Sequence, residues 1–294
     1  MACDNRILDG DESDIDCGGS TCPQCDEGAA CMDDGDCRSV LCDANAGLCV
    51  GPPTLLWLDG EDSPGMFVDQ ACSMPVASDN DPVRCWRSRG THDVDFTAIS
   101  GEGRYEADGG VQLDGDLFVA SSVFGGVLDE VAVFLVATEV SGTNSYDLNL
   151  NHANYSDGGR YSCHLPWNGT RTLIWDPGNS FTARVESGPD VVEVGETHIY
   201  ELVNSAALDV RRVRVDGGVV AEVAGANPGS ASNVSLGSDA NIHVFDFRVT
   251  ESAPDNAQRQ VIEGDLACRW NLRSQLDPSH PYYSANDVDD TGCP

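Results

Sequence analysis

The sequence predicts an all-β protein, a two-sheet antiparallel sandwich with a single C-terminal helix, led by a small disulfide-rich module. Three observations carry this. Eight of the thirteen cysteines fall within the first 49 residues. After Gly51-Pro52-Pro53 the cysteines thin out and short apolar-polar alternations, punctuated by turn residues, run almost to the end. Near the C-terminus one segment changes from a two-residue to a four-residue apolar repeat.

About 50 residues cannot bury enough apolar surface to fold on a core alone, so cross-links must hold residues 1–50 together. Cys3, Cys17, Cys22, Cys25, Cys31, Cys37, Cys42 and Cys49 are read as four disulfides, with all 105 pairings of eight cysteines open. Cys22-Pro23-Gln24-Cys25 has redox or zinc spacing. It lacks a βαβ context, however, and no histidine precedes His92. Within Asp9-Gly10-Asp11-Glu12-Ser13-Asp14-Ile15-Asp16-Cys17-Gly18-Gly19, the carboxylates of Asp9, Asp11, Asp14 and Asp16 make a candidate calcium loop. It departs from the EF-hand pattern: Asp14 stands at the sixth-position glycine and no glutamate closes the loop at the twelfth position. Asp33-Asp34-Gly35-Asp36 reads as an acidic turn. The set Asp16-Cys17-Gly18-Gly19, Cys22-Pro23, Cys25, Cys31, Asp36-Cys37, Cys42 and Cys49 resembles a short cysteine-rich unit repeated in bacterial secreted and surface proteins. The resemblance covers residues 3–49 and implies a module, not an activity.

Residues 51–54 form a stiff linker and 55–294 the large domain. Candidate strands cover 55–58, 94–99, 117–124, 127–137, 171–175, 181–185 and 197–203. Around Asp216-Gly217-Gly218 the alternating residues of 210–223 predict a hairpin with one dry face. Phe245, Phe247 and Val249 alternate with Asp246 and Arg248, as in a strand with one face in the core. The helix then follows, with Ser252 as the expected N-cap, Pro254 in its first turn and Ile262, Leu266 and Trp270 on one face.

The run from Asn241 to Thr250, this helix, and Asp277-Pro278-Ser279-His280-Pro281-Tyr282 together resemble the closing strand, helix and tail of bacterial laminin-G-like, concanavalin A-like domains. Leu56-Trp57-Leu58-Asp59 resembles the opening strand. The resemblance implies a jelly-roll sandwich that recognises sugars or proteins. Of the five later cysteines, Cys72 with Cys85 and Cys268 with Cys293 are candidate disulfides, leaving Cys163 as a buried thiol or the odd member of another pairing.

The formal net charge is −33, and all 16 basic residues are arginine. A phosphate backbone needs a cationic face, so nucleic acid is excluded as a partner. Residues 1–50 carry 12 acids against 2 arginines, roughly double the acidity of the rest, which favours a local role for the carboxylates. No apolar run is long enough to span a bilayer. Cysteine usage points to an oxidising, extracellular or cell-surface setting. No basic, apolar leader precedes Cys3, and the expectation is a chain whose export signal has been removed.

Hydrolysis of a glycosidic bond needs two carboxylates flanking the scissile bond. Asp129 and Glu130 are adjacent and so point to opposite faces, while Glu102 and Glu106 lie in a glycine-rich loop. No nucleophile elbow, zinc-protease motif or phosphate loop is present, and Cys163 and His164 are strand neighbours on opposite faces. No catalytic residue is assigned. For binding, Asp147, Asn149 and Asn151 alternate along an extended stretch near Tyr155, Tyr161, Trp167 and Trp175. Carboxamides bond sugar hydroxyls or calcium, and aromatic rings stack on pyranose faces. Asp147, Asn149, Asn151, Tyr155, Trp167 and Trp175 are therefore the candidate ligand residues. The reading is a non-enzymatic extracellular recognition or adhesion protein, binding a glycan or surface partner, with calcium as candidate cofactor. The alternatives are a structural coat or spacer subunit with calcium-bridged carboxylates and homo-oligomeric contacts, and an unusual glycoside hydrolase.

Overall fold

A computed structural model describes residues 3, 5–8, 10–22, 25, 29–33, 36–37, 42–43, 47–49, 54–141, 147–150, 160–167, 170–178, 183–238 and 240–284. By contact the chain divides into two compact units, Leu55–Ala253 and a second that joins Met1–Thr54 to Pro254–Pro294. The helix expected within 55–294 falls in the second unit.

The larger unit is a sandwich of two antiparallel sheets. The first runs Val185–Pro189, Thr172–Gly178, Arg160–Trp167, Leu148–Asn149, Val234–Gly237, Leu117–Ala120, Asp95–Ser100, Cys85–Arg87, Met66–Phe67. The second runs Gly218–Ala224, Val210–Val215, Thr197–Ser205, Glu130–Ser141, Asn241–Thr250, Val111–Asp114, Gly103–Tyr105, Pro82–Val83, and Thr54–Asp59 also pairs with Asn241–Thr250. Alternation sets which side chains fill the space between them. Val131, Val133, Leu135 and Ala137 from the second sheet meet Phe96, Phe118, Tyr161, Leu165 and Trp175 from the first, all buried in one core.

Most expected strands appear with small shifts at their ends. The 127–137 segment does not form one strand. Gly126–Leu128 pairs with Gly229–Ala231 in a separate ribbon, and the long strand starts only at Glu130. The expected hairpin is Val210–Val215 with Gly218–Ala224, turned by Asp216 and Gly217 at positive φ of 50° and 81°.

In the second unit eight cysteines close as Cys3–Cys22, Cys17–Cys25, Cys31–Cys42 and Cys37–Cys49. In chain order this is two tandem crossed pairs, and Cys22 and Cys25 are not joined to each other. Four of these sulfurs supply the module's core: Cys25, Cys31, Cys37 and Cys49 are buried together. The Gly18-Gly19 turn has no room for side chains. A Cβ on Gly19 would meet the Asp11 carbonyl oxygen at 2.1 Å, and both glycines hold positive φ.

The helix spans Asn256–Arg269. Its N-cap is Asp255 rather than the expected Ser252, because Asp255 accepts from the Ala257 and Gln258 amides while the Gln258 side chain caps the Asp255 amide. Glu263 of this helix is buried, paired with Arg259, and 3.1 Å from His280 Nε2. Tyr282 lies over Gly264, where an added Cβ would meet its ring at 2.3 Å.

Cys72 and Cys85 are disulfide-bonded as expected. Cys268 is also disulfide-bonded, and its expected partner Cys293 lies outside the described residues. Cys163 is free and fully buried, and burial together with the charge of Asp147 pushes its thiol well above the ordinary range. Alkylation of the native protein is therefore expected to spare Cys163, and denaturation without reductant to expose it. Mass-mapped labelling checks this, and modification of Cys163 in the folded protein would contradict it.

Candidate functional site

The outward face of the first sheet carries an unusual row. Because Tyr161, Cys163 and Leu165 point inward, Ser162 and His164 point outward. Register then aligns Asp176 opposite Ser162, Ser162 opposite Asn149, and Asn149 opposite Ser235. Four polar side chains thus stand side by side on adjacent strands, each 2% exposed or less. Arg184 holds Asp176 through two bonds of 2.8 Å. The row is fixed at its Asp176 end by this pair, while the buried Ser162 hydroxyl in its middle has no hydrogen-bond partner among the described residues.

At the end of this face the surroundings become wetter. Trp167 is partly exposed, and its ring meets that of the buried His164 edge-on with centroids 4.5 Å apart. Trp167 stands in register with Thr172. The Thr172 and Thr170 hydroxyls are 2.6 Å apart, and Thr172 donates at 3.0 Å to Glu186, an exposed residue. A partly exposed aromatic ring, the exposed Thr170 hydroxyl and the exposed Glu186 carboxylate are therefore grouped at one rim around the buried Thr172, which ties the last two together.

Of the candidate ligand residues, Asn149 belongs to the row and Trp167 to its rim. Trp175 belongs to neither. It is 0% exposed in the core, donates its indole N–H to the Val203 carbonyl at 3.1 Å, and leans on Tyr161. It is a packing residue, not a stacking platform. Asp147 is buried and its carboxylate is engaged by the backbone, accepting from the Leu165 amide at 2.6 Å. Asn151 and Tyr155 lie outside the described residues.

The described acids of the candidate calcium loop do not converge. Asp11 accepts from Ser20 and Thr21, Asp14 from the Ile15 and Ala30 amides, and Asp16 from the Asn5 and Arg6 amides. The Ser20 and Thr21 hydroxyls hold Asp11 well below the usual carboxylate range, and the Ala30 amide does the same for Asp14. These carboxylates act as caps that tie the module's turns. Asp9 lies outside the described residues. Among the described residues, each group of three or more acids, histidines or cysteines close enough to share a metal contains disulfide-bonded cysteines.

Two features escaped the sequence reading. Trp57 lies beneath two guanidinium groups, Arg248 at 4.5 Å and Arg89 at 5.0 Å from its ring centroid. Arg89 pairs with Asp59 at 2.6 Å and Arg248 with Asp246 at 3.0 Å. The other is Glu139, buried at the end of the long strand. Burial pushes it up to about 10 with the charge of Asp147 adding to the effect, and burial pushes Asp147 up to about 8 against the opposing Leu165 amide. Parity could have found it, since 131, 133, 135, 137 and 139 share one face. His198 and Asp216 form a buried pair at 2.7 Å. The other nitrogen, Nε2, lies 3.9 Å from a Glu196 oxygen and, among the described residues, no hydroxyl or thiol hydrogen-bonds it to complete a triad.

No protein-family profile and no characterised protein matches the chain in sequence. Solved structures with some similarity include the binding domain of botulinum neurotoxin DC in complex with SialylT, at 6% identity over 62% of this chain and 48% of that one, with a TM-score of 0.49. Trypanosoma rangeli sialidase in complex with sialic acid is similar at 13% identity over 74% of this chain and 34% of that one, with a TM-score of 0.46. The heptameric SAP-like pentraxin of Limulus polyphemus is similar at 12% identity over 49% and 72%, with a TM-score of 0.36. The chain spans about half the length of the botulinum neurotoxin structures it matches. With every one of these scores below 0.5, nothing those proteins bind or catalyse is transferred from them; what the chain itself displays is a disulfide-tied module and a jelly-roll β-sandwich.

Proposed function

We propose that this protein is an extracellular recognition protein whose sandwich binds a glycan at the Trp167 rim of the first sheet, without turning it over. The observation that carries the reading is the grouping of Trp167, Thr170, Thr172 and Glu186 beside the fixed polar row. A pyranose ring stacks its C–H face on an indole, and its hydroxyls exchange hydrogen bonds with threonine hydroxyls and a carboxylate. The row behind, from Asp176 to Ser235, is buried on paired strands and anchored at Asp176 by Arg184, so little ordering is needed on binding.

Binding without chemistry fits the placement of the acids. Among the described residues the exposed acids of the rim are engaged, Glu186 by the Thr172 hydroxyl and Asp190 by Arg171, and the carboxylates of the interior are shut away from any dissolved substrate. The disulfides and the acidic surface suit an oxidising medium outside the cell, and among the described residues no helix is long and apolar enough to cross a membrane.

The test is a broad glycan array probed with the wild-type protein, Trp167→Ala and Glu186→Gln. Wild-type hits are expected, reduced about tenfold or more by Trp167→Ala, the scale of one lost ring contact of about 1.5 kcal/mol. The melting temperature should stay within a few degrees, because Trp167 sits at a rim. Hits retained in full by both variants would remove the rim as the site. An array silent with the wild-type protein would remove glycan recognition itself.

A further inference from the structure

We propose that Glu139 and Asp147 hold a calcium ion between the two sheets of the sandwich. Glu139 ends the inward-facing series Val131, Val133, Leu135 and Ala137 of one sheet, and Asp147 enters the opposite sheet directly before Leu148. Both residues are 2% exposed. Glu139 Oε1, Glu139 Oε2 and Asp147 Oδ1 are buried and, among the described residues, have no hydrogen-bond donor. The donor that does serve the pair is the Leu165 amide, 2.6 Å from Asp147 Oδ2.

That arrangement stands apart from every neighbouring buried acid. Asp176, Glu201 and Asp246 pair with arginines, Asp59 with Arg89, Asp216 with His198, and Asp116 with the Glu102 and Asp114 amides. A bare carboxylate in an apolar interior costs several kcal/mol, and a second one at the same end of the sandwich, as the pairing of Asp147 with Gly237 and of Glu139 with Ile242 places them, costs more. Proteins meet that cost with a donor, a proton or a cation. The three unserved atoms are all hard oxygens, and two carboxylates cancel a divalent charge. Calcium takes six to eight oxygens in irregular geometry and accepts carbonyls and water to complete its shell. Zinc fits less well, because the nearby thiol of Cys163 does not join the two carboxylates in a single three-ligand group. An ion here clamps the long strand Glu130–Ser141 to the opposite sheet. The site is separate from the acidic turns of residues 10–36, and it does not depend on glycan binding.

The experiment is thermal unfolding of the intact protein in calcium and in chelator, for the wild type and for the double variant Glu139→Gln/Asp147→Asn. At a hundredfold excess over its dissociation constant, calcium should raise the wild-type midpoint by roughly 5 to 10 °C. The variant, neutral at both positions, should melt at the same temperature in both media. A wild-type midpoint indifferent to calcium overturns the proposal, as does a calcium shift that survives in the variant. If the midpoint ignores calcium but climbs on acidification from pH 8 to pH 6, the pair shares a proton and the proposal is again overturned. Should the variant fail to fold, hydrogen exchange of the wild type decides. Calcium should slow the amides of Leu165, bonded to Asp147, and of Gly195, bonded to the Glu139 carbonyl. Protection confined to residues 5–49 would place the ion in the cysteine-rich module instead.

Discussion

Replacing Trp175 by alanine is expected to destabilise the sandwich by about 3 to 5 kcal/mol, the range for deleting a fully buried tryptophan. Its indole is 0% exposed, its ring packs at 5.9 Å from that of Tyr161, and its strand pairs on both sides, with Cys163 opposite on one and Val185 on the other. Truncation leaves a cavity lined by strands whose hydrogen-bond ladders resist collapse, so the surroundings cannot relax into it. It also leaves the Val203 carbonyl without its indole donor. Trp175→Phe keeps much of the volume and loses the hydrogen bond, so it should cost less. Urea unfolding with the disulfides intact measures both variants. A loss below about 1 kcal/mol for Trp175→Ala would show that the ring is not a core residue.

A comparable loss, about 3 to 5 kcal/mol, is expected for Arg248→Met. The guanidinium grips Asp246 at 3.0 and 3.3 Å, and the two side chains are 10% and 0% exposed. Removing the cation leaves a buried carboxylate with its charge uncompensated, although the Trp57 indole N–H still lies 3.4 Å from its Oδ2, and it also strips a cation from the face of Trp57. The paired change Arg248→Met with Asp246→Leu removes both charges, and most of the loss should return. The double-mutant cycle separates the pair from lost packing. If Arg248→Met costs no more than a surface ion pair, under about 1 kcal/mol, the bridge is solvated in solution.

Local chemistry announced part of this structure. Asp216-Gly217-Gly218 marked its hairpin because Asp216 and Gly217 take the positive φ such a turn demands. The helix was visible through its four-residue repeat, although its start was misplaced by three residues. Asp255 with Gln258 makes the reciprocal cap that Ser252 cannot make, because Pro254 two residues after Ser252 has no N–H to offer and the Asp255 amide is taken by Gln258 Oε1. The break at Asp129 went unseen, since Val127 and Leu128 continue the apolar pattern while belonging to a different ribbon.

The candidate site was half legible. Asn149 was found because alternation assigns faces within a strand. Trp167 and Trp175 were indistinguishable, because Leu173-Ile174-Trp175 is buried on both faces and its alternation carries no signal. The Trp57 cluster was missed because Arg248 reaches it from far along the chain, and Glu139 because its place in the inward-facing series of its strand was not followed past Ala137.

Residue types and their spacing settled the cross-linked module, the all-β character of the rest, the helix and the acidic surface, because each is decided by neighbours within a few positions. The pairing of the cysteines, the inward turn of Trp175, the alignment of Asp176, Ser162, Asn149 and Ser235, and the burial of Glu139 and Asp147 are properties of the folded chain. Period-two alternation says which side chains share a face, but sheet order and register say which strand lies opposite, and those follow from contacts far apart along the chain.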